Sequence, residues 1–157
     1  MKIQLIVVGK TEEAWLRLAV REYKTRIGHY LPFEIVEIPA LKNISALSQT
    51  EQKQRESESV SRLLHPGDIL VLLDEKGTEM RSVEFARFLN KQFSTGGKTL
   101  VFVVGGPFGF DGGIKKKAQY VLSLSKMTFS HQMVRLFFTE QLYRALTILR
   151  GESYHHE

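Results

Sequence analysis

Leu100-Val101-Phe102-Val103-Val104-Gly105-Gly106-Pro107-Phe108-Gly109-Phe110-Asp111-Gly112-Gly113 is the stretch on which the fold turns. Its first five residues are apolar, three of them valine. Such a run reads as a strand buried on both faces, and it stops abruptly at paired glycines. Gly105 and Gly106 lack a Cβ, so they can adopt positive φ and can let a ligand approach the peptide groups at the strand's carboxyl end. Pro107 stiffens the corner. Asp111 is the expected cap of a short helix over Gly112 to Ala118, whose Lys115, Lys116 and Lys117 fall in the last turn, where cations are favoured. Ligands of open α/β sheets bind outside the carboxyl ends of the strands, which makes this loop the first candidate site. Glycine and proline also build ordinary turns that bind nothing, and the loop alone leaves both readings open.

The same design occurs upstream, where Ile69 to Leu73 is a second apolar run ending at Asp74-Glu75-Lys76-Gly77. Two buried strands with glycine turns at their carboxyl ends predict a parallel sheet with both turns on one rim. Between them, Ser82 caps an amphipathic helix carrying Phe85, Ala86, Phe88, Leu89 and Phe93, which ends at Ser94-Thr95-Gly96-Gly97. A right-handed crossover is expected. Nearer the start, Ile3 to Val8 reads as a strand closed by Gly9. Thr11, with Glu12 and Glu13 behind it, opens a helix striped by Trp15, Leu18, Ala19 and Tyr23 and stopped at Gly28. Phe33 to Ile38 is a strand ended by Pro39. Residues 40–48 have no clear period, and Glu51 to Leu64 reads as a mobile, charged helix. Its region's Lys42, Lys53, Arg55 and Arg62 alternate with Glu51, Glu56 and Glu58, the pattern of a solvated face rather than a dedicated phosphate-binding surface.

Beyond the glycine loop, Tyr120 to Ser125 is a short strand with interleaved hydroxyls, and His131 to Arg150 is a long helix. Met133, Val134, Leu136, Phe137, Phe138, Leu142, Tyr143, Ala145, Leu146, Ile148 and Leu149 spread around most of its axis. A terminal helix apolar on nearly every side calls for more cover than one small sheet supplies, so a homodimer is expected. Glu140 and Arg144 share a helix face and suit an intrahelical ion pair. The tail Gly151-Glu152-Ser153-Tyr154-His155-His156-Glu157 either frays, as termini do, or brings an aromatic and an imidazole to a site.

Length and composition narrow the chemistry. The 157 residues suit one domain, and 43% hydrophobic with 25% charged residues suits a soluble globular protein. Cysteine is absent, which excludes disulfides, thiolate metal sites and a cysteine nucleophile. The apolar run at the start is too short to span a bilayer and has no cleavage-like ending, so an intracellular, cytoplasmic protein with no membrane partner is expected. A net charge of +5 and a pI near 9.5 favour an anionic partner such as nucleic acid. His131, His155 and His156 form no metal-ligand pattern, so no metal is expected. The Walker pattern, a full dinucleotide fingerprint and the G-x-S-x-G elbow are all missing.

Five separated blocks carry a resemblance, and it covers Met1 to Glu157. They are Val104-Gly105-Gly106-Pro107-Phe108-Gly109, Leu122-Ser123-Leu124-Ser125-Lys126-Met127-Thr128, His131-Gln132-Met133-Val134-Arg135, Glu140-Gln141-Leu142-Tyr143-Arg144-Ala145 and Tyr154-His155. Together with Pro32-Phe33-Glu34 and Glu37-Ile38-Pro39, this set resembles the SPOUT-class methyltransferases. Within them it is most similar to the small enzymes that methylate N3 of a pseudouridine in large-subunit (23S) ribosomal RNA.

The resemblance implies a single-domain α/β-knot fold over residues 1–157, with a mainly parallel sheet, a C-terminal trefoil knot and no appended RNA-binding domain. It implies S-adenosylmethionine as cofactor, bound by Leu73, Gly105 and the loop of Leu124, Ser125, Lys126, Met127, Thr128 and Phe129. It further implies a homodimer acting on ribosomal RNA, in the assembled ribosome. In the matching tail, His155 is the candidate base and Tyr154 a group to stack on or hydrogen-bond the target, with reach from the partner subunit completing the site. Arg135, Arg144 and His156 are the candidate substrate contacts. The family usually has Arg or Lys where this chain has His156, which weakens any phosphate-clamping role there. Two rival readings are a cofactor-free RNA- or ribosome-binding protein and a nucleotide-binding α/β protein acting on small molecules. Binding of S-adenosylmethionine excludes the first, and salt-dependent RNA association excludes the second.

Overall fold

The structure is a computed structural model that describes residues 1–157. Along the chain run β1 (Lys2–Val8), α1 (Ala14–Gly28), β2 (Phe33–Ile38), a short 3-10 turn (Ile44–Ala46), α2 (Gln49–Ser61), β3 (Ile69–Glu79), α3 (Ser82–Phe93), β4 (Thr99–Val104), α4 (Gly112–Lys117), β5 (Tyr120–Ser123) and α5 (Met133–Leu149). The strands form one sheet of order β2-β1-β4-β3-β5, and every neighbouring pair is parallel. The expected parallel sheet is present, with the quoted apolar run as its central strand.

Burial on both faces explains the valine-rich sequence of β4. Leu100, Phe102 and Val104 belong to one core, together with Phe85 and Leu89 of α3, Ile27 of α1 and Phe138 and Leu142 of α5. Val101 and Val103 point the other way, into a smaller core with Ile6, Val60 of α2, Ile114 of α4 and Phe110 of the loop before it. Successive residues of a strand face opposite sides, so an uninterrupted apolar run is what two covered faces require. The result is a sheet with α1, α3 and α5 on one face and α2 and α4 on the other.

Several local readings need correction. Thr11 does not cap the first helix, because its hydroxyl accepts a hydrogen bond from Arg135 at 3.0 Å. Glu13 takes the cap position. Ser82 is the first residue of α3, and its hydroxyl donates to Gln141 at 2.8 Å. β3 does not end at Leu73. It resumes after a register shift and runs to Glu79, with Leu73 and Thr78 both aligned to Leu122. Gly77 makes this possible, since a Cβ there would lie 2.7 Å from the Val121 and Leu122 backbone.

The charged segment over Glu51 to Leu64 is α2, and it is packed rather than loose. Ser48 caps it by accepting from the Glu51 N–H at 3.1 Å, and Gln52, Glu56, Ser57 and Val60 are buried. Its inward face is mostly polar, which hides it from a search for apolar periodicity.

Cover for α5 also differs from the expectation. It lies between α1 and α3 against the sheet, so most of its apolar residues are enclosed by its own chain. Phe137 and Leu149 remain exposed on the helix, with Phe129 and Met127 bare on the preceding loop. No helix is long and apolar enough to cross a membrane.

Candidate functional site

Three segments meet at one rim of the sheet: the middle of β3, where its register shifts after Leu73, and the loops that follow β4 and β5. They enclose a cavity of about 400 Å³ lined by, among others, Leu73, Gly105, Gly106, Leu124, Ser125, Met127, Thr128 and Phe129. Every cofactor candidate but one therefore shares a single cavity. Lys126 is the exception: it points outward, highly exposed, with its ammonium 3.7 Å from Glu79. Asp74, Glu75 and His131 also line the cavity. His131 opens one of the five blocks that carry the resemblance, and Asp74 and Glu75 follow the second apolar run, but the sequence reading gives none of the three a site role.

The glycine turn is built for close approach. Neither Gly105 nor Gly106 takes positive φ, contrary to the sequence reading; Gly109, with φ of 79°, does. A Cβ on Gly105 would lie 3.1 Å from the Phe110 ring, and one on Gly106 would collide with the Glu56 carboxylate. The turn closes through the Gly109 N–H, which donates to the Gly106 carbonyl at 3.1 Å. Asp111 caps α4 as expected, accepting from the Ile114 N–H at 3.0 Å.

Serine hydroxyls hold the loop after β5. Ser123 donates to the Ser125 carbonyl at 2.8 Å, Ser125 Oγ accepts from the Met127 N–H at 3.0 Å, and Ser130 Oγ accepts from the Met133 N–H at 3.0 Å. These bonds satisfy backbone groups that a non-repetitive loop would otherwise leave free. The interleaved hydroxyls of this stretch thus shape the cavity wall.

Arg135 needs the clearest revision. Sequence made it a substrate contact, but it is 1% exposed. Its guanidinium donates to the Val8 carbonyl at 2.8 Å, the Gly9 carbonyl at 2.9 Å and Thr11 Oγ1 at 3.0 Å, while Nε donates to the His131 carbonyl at 3.0 Å. Burial lowers its pKa, and Glu37, 3.5 Å away, opposes that effect. Gln132 adds to the clamp by donating to the Lys10 carbonyl at 2.9 Å and accepting from the Glu12 N–H at 3.0 Å. The start of α5 is thereby pinned to the loop after β1, and no guanidinium edge is left for a phosphate.

Far along α5 a second cluster forms. Arg144 pairs with Glu140 at 2.6 Å, Tyr154 donates to the same Glu140 oxygen at 2.9 Å, and Arg144 donates to His155 Nδ1 at 3.2 Å. The Arg144 guanidinium also sits 4.9 Å from the Tyr154 ring centre, and Tyr143 packs edge-on at 4.7 Å. Tyr30 anchors the approach by donating to Glu152 at 2.7 Å, and burial with that bond pushes its hydroxyl up to about 12. The tail is therefore ordered rather than frayed. His156 alone within the Tyr154–His156 run is exposed.

Chemistry in this cluster is well defined. Burial, then Tyr23 and the Glu140 carboxylate, raise the Tyr154 pKa, so the phenol is a hydrogen-bond donor and not a base. Arginine has no lone pair, so its contact requires His155 Nδ1 to accept and places the neutral ring's proton on Nε2. That Nε2 is buried with no partner, as is Arg144 Nε. Within one chain none of Glu140, Arg144, Tyr154 and His155 lines the cavity; Glu140 and Arg144 lie about 9 and 15 Å of helix rise beyond Val134, which does.

Comparisons with known proteins agree with this architecture. The protein of Parabacteroides distasonis named Ribosomal RNA large subunit methyltransferase H is 55% identical over the full length of both chains. Proteins of the same name from Bacteroides fragilis and Bacteroides thetaiotaomicron are 51% and 50% identical, again over the whole of each. A solved structure described as a probable methylase family protein from Haemophilus influenzae superposes with a TM-score of 0.52 at 15% identity. It matches 95% of this chain, which spans 66% of that one, and the likeness bears on the fold alone. Residues 1–155 match the family described as Predicted SPOUT methyltransferase, and the chain belongs to the SPOUT methyltransferases.

Proposed function

We infer that this protein transfers a methyl group from S-adenosylmethionine to N3 of a pseudouridine in large-subunit ribosomal RNA, in the assembled ribosome. The observation that carries the reading is the convergence of Leu73, Gly105 and the 124–129 loop on one cavity of about 400 Å³. A cavity of that size, walled by glycine backbone and a few apolar side chains, suits a nucleoside cofactor. The names of the full-length relatives support the RNA substrate. The net charge of +5 suits a polyanion, and the cytoplasm is where ribosomes are found. The chain works as one domain with a C-terminal trefoil knot.

Bound in this cavity, the cofactor supplies an already activated methyl on a sulfonium centre, which leaves orientation and proton removal to the protein. The cofactor, held by this lining, would supply the methyl group that N3 takes up, and the imide proton would pass to a base of the protein. His155 is that base and Tyr154 orients the target ring. Because neither residue lines the cavity of its own chain, the working site is composite: the tail of one copy completes the cavity of the other in a homodimer. The exposed Phe129, Phe137 and Met127 beside the cavity supply apolar surface for that contact. Release of His155 Nδ1 from Arg144 frees the lone pair that takes the proton. Arg144 and His156 then face RNA phosphate, while Arg135 keeps its buried post.

The test is transfer of labelled methyl from S-adenosylmethionine to ribosomes, subunits and free RNA from cells lacking this protein. Label on large-subunit RNA supports the reading. Cofactor binding with no label on any of these substrates overturns the RNA assignment, and absence of cofactor binding overturns the methyltransferase site.

A further inference from the structure

Behind the glycine turn lies a second, smaller cavity of about 220 Å³, lined by residues including Gly9, Gln52, Glu56, Gly106, Gln132 and Arg135. Val104, Gly105, Gly106, Pro107 and His131 line both this cavity and the larger one, so the two are neighbours across a single turn of backbone.

Glu56 is out of place there. It sits on α2 at 7% exposure, and its Oε1 is buried with no hydrogen-bond partner. Its carboxylate rests against Gly106, where any side chain on that residue would collide with it. Arg135, the strongest cation nearby, is committed to Val8, Gly9, Thr11 and His131 and offers Glu56 no bond. A buried acceptor without a donor is costly, and the Glu56 carboxylate keeps such unused acceptor capacity at the wall of this cavity. Charge selects the ligand further. The two cations of the lining, Lys10 and Arg135, are matched by Glu12 and Glu56, so the wall carries no net excess charge for phosphate and suits a neutral group with N–H donors. The volume suits a single ring.

We propose that this cavity receives the methyl-accepting pyrimidine and that the Glu56 carboxylate accepts a hydrogen bond from its second ring N–H. This rests on the function proposed above. Pseudouridine carries two ring N–H groups, at N1 and N3, whereas uridine carries one, because its N1 holds the ribose. With N3 directed to the methyl group, N1–H is the donor left for Glu56, and uridine has nothing to offer there. Glu56 thus makes the protein prefer pseudouridine to uridine. Burial, which raises the carboxyl's pKa, is consistent with a group awaiting a neutral donor rather than a cation.

The experiment measures kcat/KM for methyl transfer to two ribosome preparations from cells lacking this protein, one with pseudouridine at the target and one with uridine. Wild type, Glu56→Met and Glu56→Gln are compared, with calorimetry of S-adenosylmethionine on each. Met matches the size of Glu without an acceptor, and Gln keeps an acceptor oxygen. Wild type is expected to favour pseudouridine by about 10- to 100-fold, Glu56→Met to lose that preference through a slower pseudouridine reaction, and Glu56→Gln to recover part of it. Cofactor affinity stays unchanged throughout. An unaltered preference in Glu56→Met, or no preference in wild type, overturns the proposal while leaving the methyltransferase reading intact. Loss of cofactor affinity in both variants overturns it too and places Glu56 at the cofactor. Wild type that methylates neither preparation overturns the reading on which the proposal stands.

Discussion

Arg135 donates to the carbonyl oxygen of Gly9 at 2.9 Å, joining the first turn of the last helix to the end of the first strand. Four further bonds or ion contacts, to Val8, Thr11, His131 and Glu37, surround the same guanidinium. Truncation would take the donor from three backbone carbonyls, those of Val8, Gly9 and His131, at once. Arg135→Ala is expected to lower stability by about 2–4 kcal/mol in urea unfolding. A change below about 0.5 kcal/mol, the range of ordinary surface positions, would contradict the buried-clamp role.

Gly77 lies where β3 resumes against β5, and a methyl group there meets backbone rather than a movable side chain. Gly77→Ala is expected to cost about 1–3 kcal/mol and to shift Leu122 and Leu124, with a loss of cofactor affinity in calorimetry. Gly96→Ala serves as the contrasting case: its site is open, so only its φ of 76° is penalised and cofactor binding is retained.

The acid limb of stability reports on Glu56. Burial raises its carboxyl above the ordinary value of 4.5, against a weaker lowering influence of the neighbouring Gln52 amide. A raised folded-state pKa favours the protonated form, so its stabilisation is complete below 4.5 and is lost as pH rises through the raised value. Glu56→Gln, neutral at every pH, is therefore expected to be more stable than wild type in mildly alkaline buffer, with the gap closing on acidification. Urea unfolding across that range decides it. A gap that is constant with pH would mean that Glu56 is not charged at a cost.

His155 and the cofactor cavity belong to different regions of one chain, so their roles separate experimentally. His155→Ala is expected to lower kcat by about 10²- to 10⁴-fold, as loss of a general base does, with cofactor affinity unchanged. Turnover equal to wild type at saturating substrate would remove the base role.

A composite site requires two copies. Sedimentation is expected to give twice the chain mass of 18.0 kDa, and Phe137→Glu, on the exposed apolar face, is expected to shift the protein toward monomer and abolish turnover. A monomeric Phe137→Glu protein with full activity would contradict the shared site.

Much of this was legible in residue order because the sheet is buried on both faces. The apolar runs at Leu100 to Val104 and Ile69 to Leu73 specify parallel strands, and Asp111 marks the α4 cap by a side-chain bond to backbone three residues on. The cavity lining followed from the family resemblance and agreed with the carboxyl-end rule for α/β sheets. What was hidden is polar and long-range. Arg135 looked free because most of its partners, the Val8 and Gly9 carbonyls and the Thr11 hydroxyl, are 124 to 127 residues away. Glu56 looked solvated because α2 packs a polar face, and periodicity sees only apolar ones. The order of the tail was hidden as well, since its bonds run to Glu140 and Arg144 on a helix already read as apolar.

The central claim is methylation of one ribosomal pyrimidine, and nucleoside analysis tests it most directly. Ribosomes from cells lacking this protein are incubated with the protein and labelled S-adenosylmethionine, and their large-subunit RNA is then digested and its nucleosides separated by mass. The account predicts a single labelled nucleoside, an N3-methylated pseudouridine from one site. Label on a different base, on ribose, or spread over many positions would contradict it.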